Sequence, residues 1–248
     1  MPDEQRPADY WDRTEDVVAQ LDADYWSGRQ VLFRQALSQM AKRAAPGRVA
    51  DLGGGVGYFA SCAMDMGWDA YSIEVSELAV EAAAARIGAS RSLLGVPEFL
   101  VGTCDVVTLW CVVAHVPDPR AVIVDALRLL KKDGRLLLST PNFLFQARFA
   151  ALAAKIGRPI DFVAADHFMH FTPASIDRVL ADAGGARLAF AHWGITPECV
   201  LEQRLAGVLV PCKRIWNRVA FTLSQFGVAP YYSELHVEAT HAGSALGV

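Results

Sequence analysis

Residues 49–60 read Val-Ala-Asp-Leu-Gly-Gly-Gly-Val-Gly-Tyr-Phe-Ala, four glycines set between two apolar runs. The run before them suits a strand buried on both faces, and the run after them suits a short helix. Bare backbone at such a junction lets a ligand approach the main chain and turns helix amides toward it. No other stretch restricts the fold as much. It calls for a parallel sheet with ligand space beyond the carboxyl ends of its strands.

The same grammar repeats along the chain. DAYSIEV (69–75) reads as a second strand, and SELAVEAAAARIG (76–88) as a helix with Ser76 at its N-cap and Gly88 at its stop. Gly67 is placed to end a helix over 58–66. DVVTLWCVVAHV (105–116) reads as a long strand. In DPRAVIVDALRLLKKDG (118–134), Asp118 caps a helix, Pro119 opens its first turn, Lys131 and Lys132 favour its negative end and Gly134 stops it. RLLLSTPN (135–142) is a strand halted by Pro141. TPASIDRVLADAGG (172–185) repeats the capped-helix pattern with Thr172, Pro173 and Gly184. ARLAFAHWG (186–194) and SELHVEATH (233–241) make two late strands.

This alternation predicts a doubly wound α/β sheet with helices on both faces. Residues 1–46 read as an N-terminal helical lid and 47–196 as the α/β core. Residues 197–230 form a mostly helical insertion, either a cap or a dimer face, and 231–248 the last strand and tail of one overall domain. ADYW occurs at 8–11 and again at 23–26, a spacing that puts both copies near one face of a continuous helix. Two copies in an alanine-rich chain do not make a repeat architecture.

Composition narrows the class. Hydrophobic residues make up 53% of the 248 and charged residues 20%, the proportions of a packed globular chain. With 27 acidic and 23 basic residues the net charge is −4, so no global basic field argues for nucleic acid or an anionic membrane. The polar, acidic start MPDEQRPADYW is unlike a signal peptide, and no apolar run approaches the roughly 20 residues of a bilayer span. The five cysteines include no C-x-x-C pair, which fits a reduced cytoplasm better than a disulfide framework or a zinc site. These features predict a cytoplasmic protein with neither nucleic acid nor membrane as partner, and with a homodimer as an open option.

Three ligands compete for the glycine turn. A P-loop requires Gly-Lys-Ser/Thr, and the turn has no lysine. A dinucleotide requires G-x-G-x-x-G; Gly53 and Gly55 fit, but Tyr58 stands at the third position, where close packing wants a small residue. Asp51, just before the glycines, would repel a pyrophosphate and suits a ligand with a cationic or donor-bearing tail. The acidic-x-Gly-x-Gly-x-Gly pattern through Gly57 is shaped for S-adenosylmethionine (SAM). Glu74, at the tip of the second strand, is placed to take ribose hydroxyls, with Val75 beside it; an NAD site uses an acid there too.

Taken together, the motifs resemble a class I SAM-dependent methyltransferase of the small-molecule type, the UbiE/UbiG-like group. VADLGGGVG resembles the family's glycine loop and SIEVSELAVEAAAAR its ribose-binding strand and helix. The stretch from Asp105 to Asn142 resembles its fourth strand, helix and fifth strand, and DHFMHFTPASIDRVLADAGG its later helix start. The similarity covers about residues 45–194 and the last strand near 232–241. It implies a seven-stranded Rossmann-like sheet, six strands parallel and one antiparallel, with SAM as cofactor. The chain departs from the pattern in three places. Only Glu98 is available as the acid after the third strand that would bind adenine, Ala114 stands where many relatives carry Glu, and Leu-Lys-Lys-Asp-Gly replaces a Pro-Gly-Gly turn.

Methyl transfer is an in-line displacement in which positioning supplies most of the rate, with a base needed only in some cases. His115, just after the fourth strand, is the leading base, and a backbone-bonded turn histidine is its bland alternative. His167 and His170 are spaced to enter the same cavity with Asp166 orienting one of them, or to serve as helix-entry residues. No metal site is expected: a third ligand is not evident, and H-E-x-x-H is absent. Tyr10, Trp11, Tyr25 and Trp26 are placed to close over the sulfonium, or to pack as core. Arg29 is placed to reach a cofactor carboxylate, and Trp110 either flanks adenine or packs. His192, His236 and His241 carry no assigned role. STPN after the fifth strand lacks the aromatic residue that closes a nucleic-acid methyltransferase loop. An NAD(P)-dependent oxidoreductase and a non-catalytic relative of the methyltransferase fold remain as alternatives.

Overall fold

Arg48–Leu52 (β1) forms the centre of a seven-stranded sheet in a computed structural model of the chain. The structure describes residues 25–155, 157, 167–193, 215–216, 218–223 and 233–247. Around β1 the sheet runs in the order β3-β2-β1-β4-β5-β7-β6. Its other members are Asp69–Glu74 (β2), Ser92–Leu94 (β3), Cys104–Trp110 (β4), Leu130–Pro141 (β5), Gly185–Ala191 (β6) and Glu234–His241 (β7). All pairings are parallel except those of β7, which runs antiparallel to both β5 and β6. Six strands thus share one direction, and their carboxyl ends share one edge.

Helices fill the crossovers, and their ends follow from local chemistry. Tyr58–Asp65 (α2) links β1 to β2, and Glu77–Ile87 (α3) starts where the Ser76 hydroxyl accepts the Ala79 N–H. Pro119–Leu129 (α4) starts where the Asp118 carboxylate accepts the Ala121 N–H at 3.0 Å. Pro173–Asp182 (α6) opens with a reciprocal capping box in which Ser175 takes the place usually held by Glu or Gln. Phe143–Lys155 (α5) leaves β5 at once.

Two apolar layers flank the sheet. One joins Leu109, Leu136, Leu138 and Val237 to Ile123, Ile176 and Leu180 of α4 and α6. The other joins Val49, Val106 and Leu137 to Phe59 of α2 and to Leu32, Phe33 and Leu37 of Tyr25–Ala41 (α1). Burying side chains of this size on both faces contributes about 1.5–3 kcal/mol each before chain entropy is charged against it.

The structure corrects several expectations. Within the segment read as a lid, α1 is a core helix with Phe33, Ala36 and Leu37 fully buried, while residues 1–24, including Tyr10 and Trp11, lie outside the described residues. The long strand over 105–116 ends at Trp110, because Cys111 turns to a φ of +57°, the only positive φ among the described non-glycine residues. The helix over 118–134 ends at Leu129: Lys131 is drawn to Asp105 (2.8 Å) and joins β5 instead. Gly134 lies inside that strand, where an added Cβ would stand 3.0 Å from the Cys104 carbonyl. Helix α5 was not anticipated, for its run of apolar residues shows no polar face. Of the insertion expected over 197–230, residues 215–216 and 218–223 are described and are helical.

Thr172→Ala removes the cap and half of the capping box of α6. Urea denaturation is expected to show a loss of about 1 kcal/mol with an unchanged denaturant slope.

Candidate active site

The glycine turn is strapped over the end of β2. The N–H groups of Gly53 and Gly54 both donate to the Ile73 carbonyl, at 2.9 and 3.2 Å. Gly53 has a φ of +77°, and a Cβ there would stand 2.5 Å from Val112 Cγ2. Gly57, at φ +81°, brings the start of α2 against α3, where its missing Cβ would sit 3.0 Å from that of Ala83. The tight helix contact therefore falls on Gly57, and Tyr58 is free to turn outward, where the Arg86 guanidinium lies 3.8 Å from its ring centre. Arg86 also donates to the Val56 carbonyl at 3.0 Å, tying α3 to the turn.

Two carboxylates flank this turn. Asp51, the next-to-last residue of β1, is buried and accepts the Thr108 hydroxyl at 2.5 Å. Burial, offset in part by that hydrogen bond and reinforced by the Glu74 charge, pushes the Asp51 carboxyl up to about 7. A buried acid poised near neutrality ionises readily when a cation approaches, and such perturbed groups mark functional sites. Glu74 closes β2, buried, with Oε2 accepting the Val75 N–H at 2.6 Å; the Val75 side chain itself is exposed. Gly55, at φ +51°, lies between the two acids in sequence. Glu98, the acid after β3, is exposed at the start of a single 3-10 turn.

Beyond β4 the three candidate histidines come together. The rings of His115 and His167 meet edge to face with centroids 4.6 Å apart, and His170 lies 5.7 Å from His167. His170 in turn stacks on Phe143, the first residue of α5, at 4.9 Å. All three are half-buried. Main-chain bonds hold them there: the Phe168 N–H donates to the Ala114 carbonyl at 2.8 Å, and the Phe143 N–H to that of Phe171 at 2.8 Å. Among the described residues no group of His, Cys, Asp and Glu has the arrangement of a metal site. Asp166 lies outside the described residues.

Two expected cofactor contacts have a different setting. Trp110 is packed against Phe33, Phe59 and Trp193 at centroid distances of 5.2–5.5 Å. Arg29 is buried and donates to Cys111 Sγ at 3.4 Å, placing its guanidinium at the end of β4 beside the glycine turn. Tyr25 opens the same helix four residues earlier.

A polar seam that no sequence motif marks lies behind this point. Ser139 pairs with His236 across β5 and β7, and the Cys111 N–H donates to the Ser139 carbonyl at 3.1 Å. His236 is buried, accepts the Trp193 N–H at Nδ1 (3.1 Å) and lies 3.5 Å from Glu234. The alternation of Glu234, His236, Glu238 and Thr240 with Leu235, Val237 and Ala239 was the available signal: two buried faces, one of them polar.

Six parallel strands, one antiparallel strand and a glycine turn leaving the first strand define the class I methyltransferase fold. The chain belongs to the Methyltransf_23 family, whose methyltransferase-domain model matches residues 25–186. Ubiquinone biosynthesis O-methyltransferase of Psychrobacter arcticus is 35% identical over 88 residues, 35% of this chain and 34% of that protein. The match thus spans about a third of the length of the curated relatives. Magnesium protoporphyrin IX methyltransferase of Synechocystis, crystallised with bound S-adenosylhomocysteine (SAH), superposes with a TM-score of 0.52 at 19% identity, covering 87% of this chain and 84% of that one. Mitomycin 7-O-methyltransferase superposes with a TM-score of 0.55 at 14% identity, over 96% and 62%. At these identities the two structures share the fold.

Asp51→Asn keeps an oxygen for Thr108 and removes the titration. A carboxyl raised from 3.8 to about 7 on folding costs nothing at pH below its unfolded value and its full penalty above the folded one. The stability advantage of the variant is therefore expected to grow between about pH 4 and pH 7, by at most about 4 kcal/mol, in urea denaturation across that range.

Proposed function

We propose that this chain transfers a methyl group from SAM to an oxygen of a small organic molecule, with nitrogen as the second choice of acceptor atom. The carrying observation is the glycine turn flanked by buried Asp51 and Glu74 in a chain of the methyltransferase-domain family. The cofactor fits the residues present. Side chains at Gly53, Gly54 and Gly57 would collide with Val112, Ser72 and Ala83, so the turn between β1 and α2 is bare backbone; one carboxyl sits at the tip of β2, and burial holds the other near neutrality, suited to a cationic tail. Gly53, Gly55 and Gly57 would cradle it, Glu74 would accept from its ribose hydroxyls beside Val75, and Tyr58 would wall the turn. Asp51 would face its ammonium, Arg29 on α1 would hold the carboxylate end, and Tyr25 would close over the sulfonium.

When bound, SAM supplies both an electrophilic methyl group and its leaving group. The chain's own residues orient the acceptor and manage its proton. His115 is the base: its imidazole takes the hydroxyl proton as the acceptor oxygen becomes nucleophilic. His167, edge-on to it, and His170, braced on Phe143, fix the ring and border the acceptor. Trp110 serves as the packed wall behind the site. The relative from Psychrobacter arcticus is an O-methyltransferase by name, which supports oxygen as acceptor. A bacterial biosynthetic acceptor, of the natural-product or sugar type, fits the arginine- and alanine-rich chain.

Calorimetric titration of the full chain is expected to give micromolar binding of SAH and no heat with NAD. Glu74→Ala is expected to weaken SAH by about tenfold or more, the value of a hydrogen bond to a charged group; an unchanged affinity removes Glu74 from the site. His115→Ala is expected to lower turnover by about 10²-fold or more with SAH affinity intact, and full activity would return His115 to a turn residue.

A further inference from the structure

Asp51 does not stand alone on its row of the sheet. Ser72 of β2 and Thr108 of β4 are its register partners on either side, and all three are buried. The Thr108 hydroxyl is committed to Asp51 Oδ1, to which it donates at 2.5 Å. Asp51 Oδ2 and Ser72 Oγ instead converge under the glycine turn. A Cβ on Gly54 would stand 3.1 Å from the first and 2.3 Å from the second. Ser72 is 1% exposed, and its hydroxyl has no hydrogen-bond partner among the described residues. Ser92, next along the row on β3, gives its own hydroxyl to the Val80 carbonyl at 2.7 Å. A buried hydroxyl left without a partner is destabilising, and one lying beside a carboxyl oxygen has a use once that carboxyl is charged.

The surroundings of Asp51 explain why that use is conditional. An ionised carboxylate offers about four acceptor sites, whereas a protonated one supplies a donor of its own. Among the described residues, β4 presents the Thr108 donor and β2 presents Ser72 and the Glu74 charge, which opposes ionisation. The turn presents main chain at Gly54, and Arg29 of α1 donates to Cys111 Sγ. Burial and a like charge therefore work against the charged form with one donor in its favour, and the carboxyl keeps its proton up to about 7. A cation arriving at the turn reverses that balance. The proton leaves for solvent, the cation meets the charge, and the Ser72 O–H stands where it can donate to Oδ2.

We propose that Ser72 is a positioning residue for the cofactor's ammonium: its hydroxyl turns onto Asp51 Oδ2 when that carboxyl ionises, so that cofactor binding releases one proton. The identity of the cation rests on the methyl-transfer reading; the behaviour of the Ser72–Asp51 pair does not. A ligand that needs Asp51 ionised binds more tightly as pH rises through the Asp51 midpoint and levels off above it. In calorimetric titration of the full chain, SAH is expected to tighten about tenfold from pH 6 to pH 8. The probe 5′-methylthioadenosine, which carries neither ammonium nor carboxylate, is expected to bind equally at both. Ser72→Ala removes a donor to the charged form and is expected to raise the midpoint by about one unit. SAH then weakens about tenfold at pH 6 and hardly at pH 9. An equal loss at both values is what a merely structural role gives, and it overturns the proposal, as does pH-independent SAH binding to the wild type. Carbon-13 NMR of the Asp51 carboxyl, assigned by its loss in Asp51→Asn, reads the same midpoint without ligand. It is expected at about 7 in the wild type and about one unit higher in Ser72→Ala. Ser72→Cys, similar in shape and a weaker donor, is expected to shift it the same way by less. Midpoints unmoved in these variants overturn the proposal whether or not SAH binds, while failure of SAH to bind at any pH strikes the methyl-transfer reading alone.

Discussion

The ligand edge of this protein depends on how closely the glycine turn lies against β2 and β4. Two successive amides, of Gly53 and Gly54, share the Ile73 carbonyl, and side chains at three of the four glycines would collide with Val112, Ser72 or Ala83. That closeness puts Asp51 out of water, because the turn folds over the end of β1. The raised Asp51 carboxyl is thus a consequence of packing, and Thr108 is what keeps its oxygen satisfied. A site that needs bare backbone on one side and acid on both flanks has little freedom left elsewhere.

The rest of the edge is arranged around the same constraint. Val112 must meet Gly53, so the chain turns sharply after Trp110, and Cys111 takes the left-handed conformation that makes the turn. Ser139 secures it from β5 through the Cys111 N–H, and Arg29 reaches the thiol from α1. Immediately beyond the turn, the Ala114 carbonyl receives the segment that carries His167 and His170. One sharp turn therefore separates the glycine side of the edge from the histidine side and fixes their spacing.

Much of this was legible in the chain. Ser76, Asp118 and Thr172 cap the helices expected of them, since a short polar side chain before an apolar period has one low-energy use. The convergence of His115, His167 and His170 was readable from two motifs at the same kind of position, though the distance between them was not. The errors have physical causes. DVVTLWCVVAHV continues the β-rich composition past the point where contact with the glycine turn ends the strand. Lys131 suits a helix terminus and a strand equally, and Asp105, far away in sequence, decided it. The polar face of β7 was visible as alternation, but its partners Ser139 and Trp193 come from other elements.

Hydrogen–deuterium exchange of the full chain with and without SAH addresses the central claim most directly, that the glycine turn and the tip of β2 are where the cofactor is held. The account requires slower exchange at residues 53–57 and 74–76 on SAH addition, none with NAD, and no change at 215–223. Protection by NAD at the same amides, or protection by SAH only elsewhere, would contradict it.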